Sequence, residues 1–255
     1  MDFLLAQDYA TSLFLHIVRV GAFFAVVPIF GRQVDSMVLR LVLAVSLAAV
    51  FWWVGDQRVA TPHHILTLGV MAVREGIIGI ALGFALSTLT SLLVSAGEVI
   101  SSEMGFTLAR TINPESGVDA TVVSQFLQVF GFLLILHFDL HHEALRLVEQ
   151  TFRSCRVGQP FALEPIWEGL KALIGASVLL AVQYSLPLLG IMLLLSVGMV
   201  LLGRAVPAIN LMEFVFALRV LLALGVLSFL IVEGTPFLLQ TFRGLLDGAG
   251  AMFPV

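Results

Sequence analysis

Two histidine pairs carry most of the metal-ligating chemistry in this chain: His63-His64, and His141-His142 beside Asp139 and Glu143. Helical metal pairs are usually spaced i, i+3 or i, i+4. Adjacent histidines on a helix point to different faces. His137 and His141 satisfy the i, i+4 spacing, but the sequence offers them no well-placed third ligand. The run closes an apolar stretch, where histidine favours helix C-termini and interfaces. Asp139, His141 and His142 are therefore expected to terminate a helix and meet a partner, with no metal bound. Glu98 and Glu103 have the chemistry of a proton-coupling pair, because intramembrane carboxylates often carry protons. Their other reading is that they cap or anchor the glycine-bearing stretch they flank. Cys155 stands alone, which excludes an intrachain disulfide and a metal-thiolate cluster. It reads as a loop thiol, not a nucleophile. There is no Walker-type loop, dinucleotide fingerprint or nucleophile elbow. No catalysis and no cofactor are expected.

The elements that carry these residues are apolar. Hydrophobic residues make up 59% of the 255 positions, charged residues 12%, and mean hydropathy is +1.05. An ordinary soluble domain carries about twice that charge fraction, so the chain reads as an integral membrane protein. Asp2 and Asp8 stand where a leader's basic region would be, and no cleaved signal peptide is expected. The net charge of −4 gives no basic face for nucleic acid. Uncharged windows cover Gly76–Gly97, Ala120–Phe138 and Ala172–Gly203, of 22, 19 and 32 residues. Four others are shorter: Val20–Gly31, Leu41–Gly55, Val59–Val73 and Val220–Val232. A helix needs about 20 apolar residues to cross a bilayer core. The short windows reach that length only by taking in Arg19, Arg74, Glu75, Glu213 or Arg219. Arg19 and Arg40 fit helix ends, from which a long side chain snorkels to water. Arg74 and Glu75 lie about 100° apart on a helix, so each needs a partner on another helix. Pro187 and Gly190 imply that Ala172–Gly203 is either one kinked helix or two short ones. Gly76, Gly79 and Gly83 form a stripe of small residues that lets another helix come close.

One stretch breaks this pattern. Gly97–Gly117 reads G-E-V-I-S-S-E-M-G-F-T-L-A-R-T-I-N-P-E-S-G. Asn113-Pro114 and Gly117 oppose continued helix. Irregular backbone at membrane depth persists where protein buries it or where it lines a water-filled path. Two readings follow: a pore or gate segment, and an ordinary surface loop between membrane helices.

The same stretch resembles the signature of the FliR/SctT export-gate family of type III secretion. The resemblance continues through Gln125–Leu127, Leu133–His142, Thr151-Phe152 and Val157-Gly158. It includes Arg19–Gly31 with Arg40, and Gly203–Asn210, where Arg204, Pro207 and Asn210 match a late motif. Each motif is weak and their order is specific. The resemblance implies an all-α membrane-complex protein of bent helical hairpins, like a fusion of FliP-like and FliQ-like units. It implies one export-gate domain over residues 1–255. FliP and FliQ homologues would complete the channel for unfolded flagellar rod and other export substrates. An FlhB homologue would wrap its base, in the bacterial inner membrane at the flagellar basal body. The loop at about 105–117 would plug the closed channel, with Met104, Gly105, Phe106, Ala109, Asn113, Pro114 and Gly117 as its gating residues. Arg19, Arg74, Glu75, Glu98, Glu103, His141, His142, Arg204, Pro207 and Asn210 are the candidates for buried polar or assembly contacts. The chain departs from the family pattern at Leu140, Ala208, Glu213, Val215–Ala217 and Arg219. The competing class is a proton-coupled small-molecule transporter with a midplane site on Glu98, Glu103 or Arg74.

Overall fold

The computed structural model describes residues 2–27, 37–55, 59–62, 64–105, 121–205 and 211–253, with side chains for all of these except 2–5, 205 and 211–214. Among the described residues every regular element is a helix. They are α1 (Asp2–Val26), α2 (Met37–Gly55), α3 (Ile65–Met104), α4 (Val122–His137), α5 (Leu140–Ser154), α6 (Leu163–Ala205), α7 (Leu211–Glu233) and α8 (Thr235–Ala251). Lipid offers no hydrogen bonds, so a chain this apolar satisfies its backbone within helices. Five helical segments are long and apolar enough to cross a membrane: Ala6–Val26, Met37–Gly55, Ile65–Met104, Leu163–Arg204 and Val215–Glu233. The broken pair Val122–His137 and Leu140–Ser154 makes a sixth if it counts as one span. The chain is an all-helical membrane protein.

Two local outcomes differ from the sequence expectations or decide between them. α6 runs through Pro187 as a single 43-residue helix, about 65 Å long at 1.5 Å per residue. The two-helix alternative therefore does not hold. His141 and His142 do not terminate a helix. α4 stops at His137, Asp139 takes the left-handed conformation at φ 56, and both histidines lie in the first turn of α5. A short polar side chain tolerates that backbone better than most residues do. Buried Leu140 then fixes the new helix at its start.

The chain divides into two compact units. Unit 1 holds Met1–Leu89, Asp139–Gly175 and Arg243–Val255; unit 2 holds Thr90–Phe138 and Ala176–Phe242. In unit 1, α1 packs on α2 and on the first half of α3. A Cβ at Gly79 would lie 2.2 Å from the carbonyl oxygen of Arg19, and one at Gly83 would lie 2.8 Å from that of Phe23. These two glycines let the α1 backbone lie directly against α3. Gly76 meets nothing within 4 Å among the described residues, so it is not part of the seam. In unit 2, the second half of α3 buries Leu92, Leu93, Ile100 and Met104. α3 is the most enclosed span, with 61% of its apolar window buried, against 11% for Met37–Gly55 and 17% for Leu163–Arg204. The apolar faces of α2 and α6 are left for lipid or other chains, since so large an exposed apolar surface is not stable in water.

Candidate functional site

Among the described residues, two buried polar nodes each hold a charged side chain within a helix packing, one in each unit. In unit 1 the node is built on Arg19 of α1 and Glu75 of α3, whose side chains are 2% and 1% exposed. Arg19 Nε donates to Glu75 Oε2 at 2.6 Å. Its Nη1 donates to the Thr151 carbonyl at 2.9 Å, and its Nη2 to the Cys155 carbonyl at 2.8 Å. Those carbonyls close the C-terminus of α5, where the dipole favours a cation; the Thr151 carbonyl is shared with the Cys155 N–H at 2.9 Å. The guanidinium carbon also stands 4.4 Å from the ring centre of Phe152, a cation–π contact. On the carboxylate side, Glu75 Oε1 accepts the Gly158 N–H at 2.9 Å. Gly158 has φ +76, and a Cβ there would meet Met71 at 2.8 Å. Only glycine suits that turn. Arg19 therefore does not snorkel; its whole fork is used inside the protein. Glu75 has its partner on another helix, as its position requires. Arg74 is half-buried and meets no partner among the described residues.

Cys155 lies next to this node. Burial pushes its thiol above the usual range, although the nearby Arg19 charge pulls the other way. A protonated, half-buried thiol is a poor nucleophile, in keeping with a structural loop position.

In unit 2 the node stands at the end of α3. Glu98 Oε1 accepts from the Thr121 N–H at 2.9 Å and from the Ser124 hydroxyl at 2.8 Å. The Ser101 and Thr121 hydroxyls are 2.6 Å apart. Thr121 is the N-cap of α4, in extended backbone, with its side chain accepting from the Ser124 N–H. The helices approach closely here: a Cβ on Gly97 would fall 2.3 Å from the Ser124 Cα. α3 ends on Met104, which is fully buried. Gly105 follows with φ +82 and donates its N–H to the Ser102 carbonyl at 3.1 Å. That is a left-handed helix stop that glycine fits. Phe216 covers this stop: its ring carbon would be 3.5 Å from a Cβ on Gly105.

The chain thus departs α3 at Gly105 and returns at Thr121 to side chains of α3's last two turns. Both ends of the connection are fastened to one helix end. Met104 and Gly105 belong to this anchor. Phe106, Ala109, Asn113, Pro114 and Gly117 lie outside the described residues, as do Pro207 and Asn210. Glu103 is half-buried beside the stop. Arg204 is exposed in the last turn of α6 and belongs to neither buried node; its charge suits that helix end. Arg219 of α7 donates from Nη2 to the Ser196 hydroxyl at 2.8 Å, while its Nε is buried without a partner among the described residues.

The sequence reading missed Thr121, Ser124 and Ser101. A threonine immediately before an apolar run is an N-cap signal that marks the first. The acceptors at Thr151 and Cys155 are backbone carbonyls, which no sequence pattern reveals.

Comparison with known proteins places the whole of this architecture in one family. The family model for bacterial export proteins, family 1, matches residues 10–248. The chain belongs to that family. It is 25% identical to the flagellar biosynthetic protein FliR of Bacillus subtilis, over 95% of this chain and 97% of that one. It is 26% identical to FliR of Caulobacter vibrioides, over 94% and 96%. The surface presentation of antigens protein SpaR of Shigella flexneri is 24% identical, over 81% and 82%. Both nodes and both ends of the 106–120 connection lie inside the family match.

Arg19→Ala or Glu75→Ala should each destabilise the protein by about 3–5 kcal/mol, because each leaves the other charge buried and unpaired. The double variant should lose clearly less than the sum of the two. A double-mutant cycle from chemical denaturation in detergent checks this; additive losses would show that the pair is not coupled.

Proposed function

We propose that this protein is the FliR-type core subunit of the flagellar type III export gate. In this reading residues 1–255 act as one export-gate domain, built of bent hairpins like a FliP-like and a FliQ-like unit fused. It forms, with FliP and FliQ homologues, the channel for unfolded flagellar proteins, and an FlhB homologue surrounds the base. The assembly stands in the bacterial inner membrane at the basal body, does no catalysis of its own and draws energy from elsewhere. The observation that carries this reading is the family match along nearly the entire chain, together with FliR relatives aligned over nearly their full lengths.

The segment at about 105–117 is its plug. Support comes from the way the connection is held: Gly105 stops α3 against Phe216, and Thr121 is fastened back to Glu98. A segment tied at both ends to one enclosed helix end can block a lumen without leaving it. The large uncovered apolar faces of α2 and α6 suit packing against other subunits. The transporter alternative needs a carboxylate free to exchange protons. Glu98 Oε1 is committed to fixing the N-cap of α4, which favours an anchoring role.

Deleting Thr107–Glu115 should raise small-ion conductance through the assembled gate while the complex stays intact. Unchanged conductance in an intact complex would refute the plug. Glu98→Gln keeps an oxygen that accepts from Thr121 and Ser124, so export should continue near its normal rate, whereas Glu98→Ala should impair it. Motility-coupled secretion assays measure both; equal loss in the two variants would favour proton coupling.

A further inference from the structure

We propose that Asp139, His141 and His142 form a site for a first-row transition-metal dication of the Zn²⁺ class. The argument that adjacent histidines on a helix cannot converge fails at this position, because these two open a helix behind a left-handed residue. A carboxylate oxygen of Asp139 and one ring nitrogen from each histidine all lie within 4.8 Å of one another. Asp139 Oδ1 and His142 Nδ1 are 3.4 Å apart. The two imidazole rings are 4.1 Å apart between centroids and tilted by 40°. The turn that gathers them is held by the His142 N–H donating to the Asp139 carbonyl at 2.9 Å.

A second observation points to a ligand. Nδ1 of His141 is shut off from solvent and has no hydrogen-bond partner among the described residues. His141, half-buried in the group, thus carries an unsatisfied nitrogen, whereas buried polar nitrogens are almost always paired. Metal–nitrogen and metal–oxygen bonds of about 2.0–2.2 Å put ligand atoms roughly 3–3.5 Å apart. The Asp139–His142 pair has that spacing already, at 3.4 Å. These outer members of the group can close the remaining difference by side-chain rotation, since the Asp139 and His142 side chains are 75% and 62% exposed. Two imidazoles and one carboxylate suit Zn²⁺, Co²⁺, Ni²⁺ or Cu²⁺ and not the all-oxygen preference of Mg²⁺ or Ca²⁺. Three protein ligands leave further positions for water or for a donor from another chain. All three ligands fall within four residues, so the ion would brace the first turn of α5.

The test uses the full chain purified from membranes with its accompanying subunits on a tag without histidine. Co²⁺ is the probe, read by its visible absorption, with Zn²⁺ in competition. A saturable band that Zn²⁺ displaces is expected. Asp139→Asn and His142→Gln alter exposed positions and should leave the helical circular dichroism unchanged. Each should weaken Co²⁺ binding at least about tenfold, the loss seen even for groups that only support metal ligands. His137→Ala should leave it unchanged. Absence of a saturable band, equal affinity in His142→Gln, or loss with His137→Ala instead, would each overturn the site.

Discussion

A charge buried in an apolar protein must be met inside that protein, and Arg19 with Glu75 shows how completely this chain obeys the rule. The two side chains connect α1 to α3, and through backbone acceptors and a donor they also hold the end of α5 and the turn at Gly158. Burying such a pair contributes little net stability by itself, but leaving either member alone is costly. The pair therefore specifies which helices meet, and in what register, more than it drives folding. Gly79 and Gly83 make the meeting possible, because a side chain there would collide with the α1 backbone at Arg19 and at Phe23.

Unit 2 uses the same logic with a single carboxylate. Glu98 organises backbone and hydroxyl donors at the start of α4, and Gly97 provides the space for it. In both units a charged side chain of a long apolar helix is assigned to a chain end or a turn, where the backbone has unmet hydrogen-bonding groups. The consequence for function is mechanical. The most enclosed helix of the chain, α3, carries the Arg19 partner in one unit and both anchors of the 106–120 connection in the other.

Much of this could be read from the residues. Apolar windows and composition pointed to an integral membrane protein, and the ordered motifs to the family and the all-α class it implies. The need of Glu75 for a partner on another helix followed from its apolar flanks. What escaped was local backbone geometry. The left-handed Asp139 converts an expected helix end at His141-His142 into a helix start, and no periodicity argument anticipates it. Arg19 fitted a snorkelling position because its window was short, yet it is held inside by the Glu75 carboxylate and by two carbonyls contributed from more than 130 residues away. Pro187 left one kinked helix or two short ones open, and α6 runs through it as one helix. Gly76 shared the spacing of the glycine seam without sharing its contact, because spacing marks a face and not the partner that covers it.

The most direct measurement is a cross-link between position 113 and a polypeptide caught in transit. Cys155→Ser removes the native thiol, Asn113→Cys introduces a single reporter, and an export substrate carrying one cysteine is stalled in the gate by a folded domain it cannot unfold. If the connection between Gly105 and Thr121 lies in the export path, a disulfide between position 113 and the stalled substrate forms under mild oxidation. If position 113 gives no cross-link while exposed Phe229 replaced by cysteine does, the segment is away from the path and the gate is elsewhere.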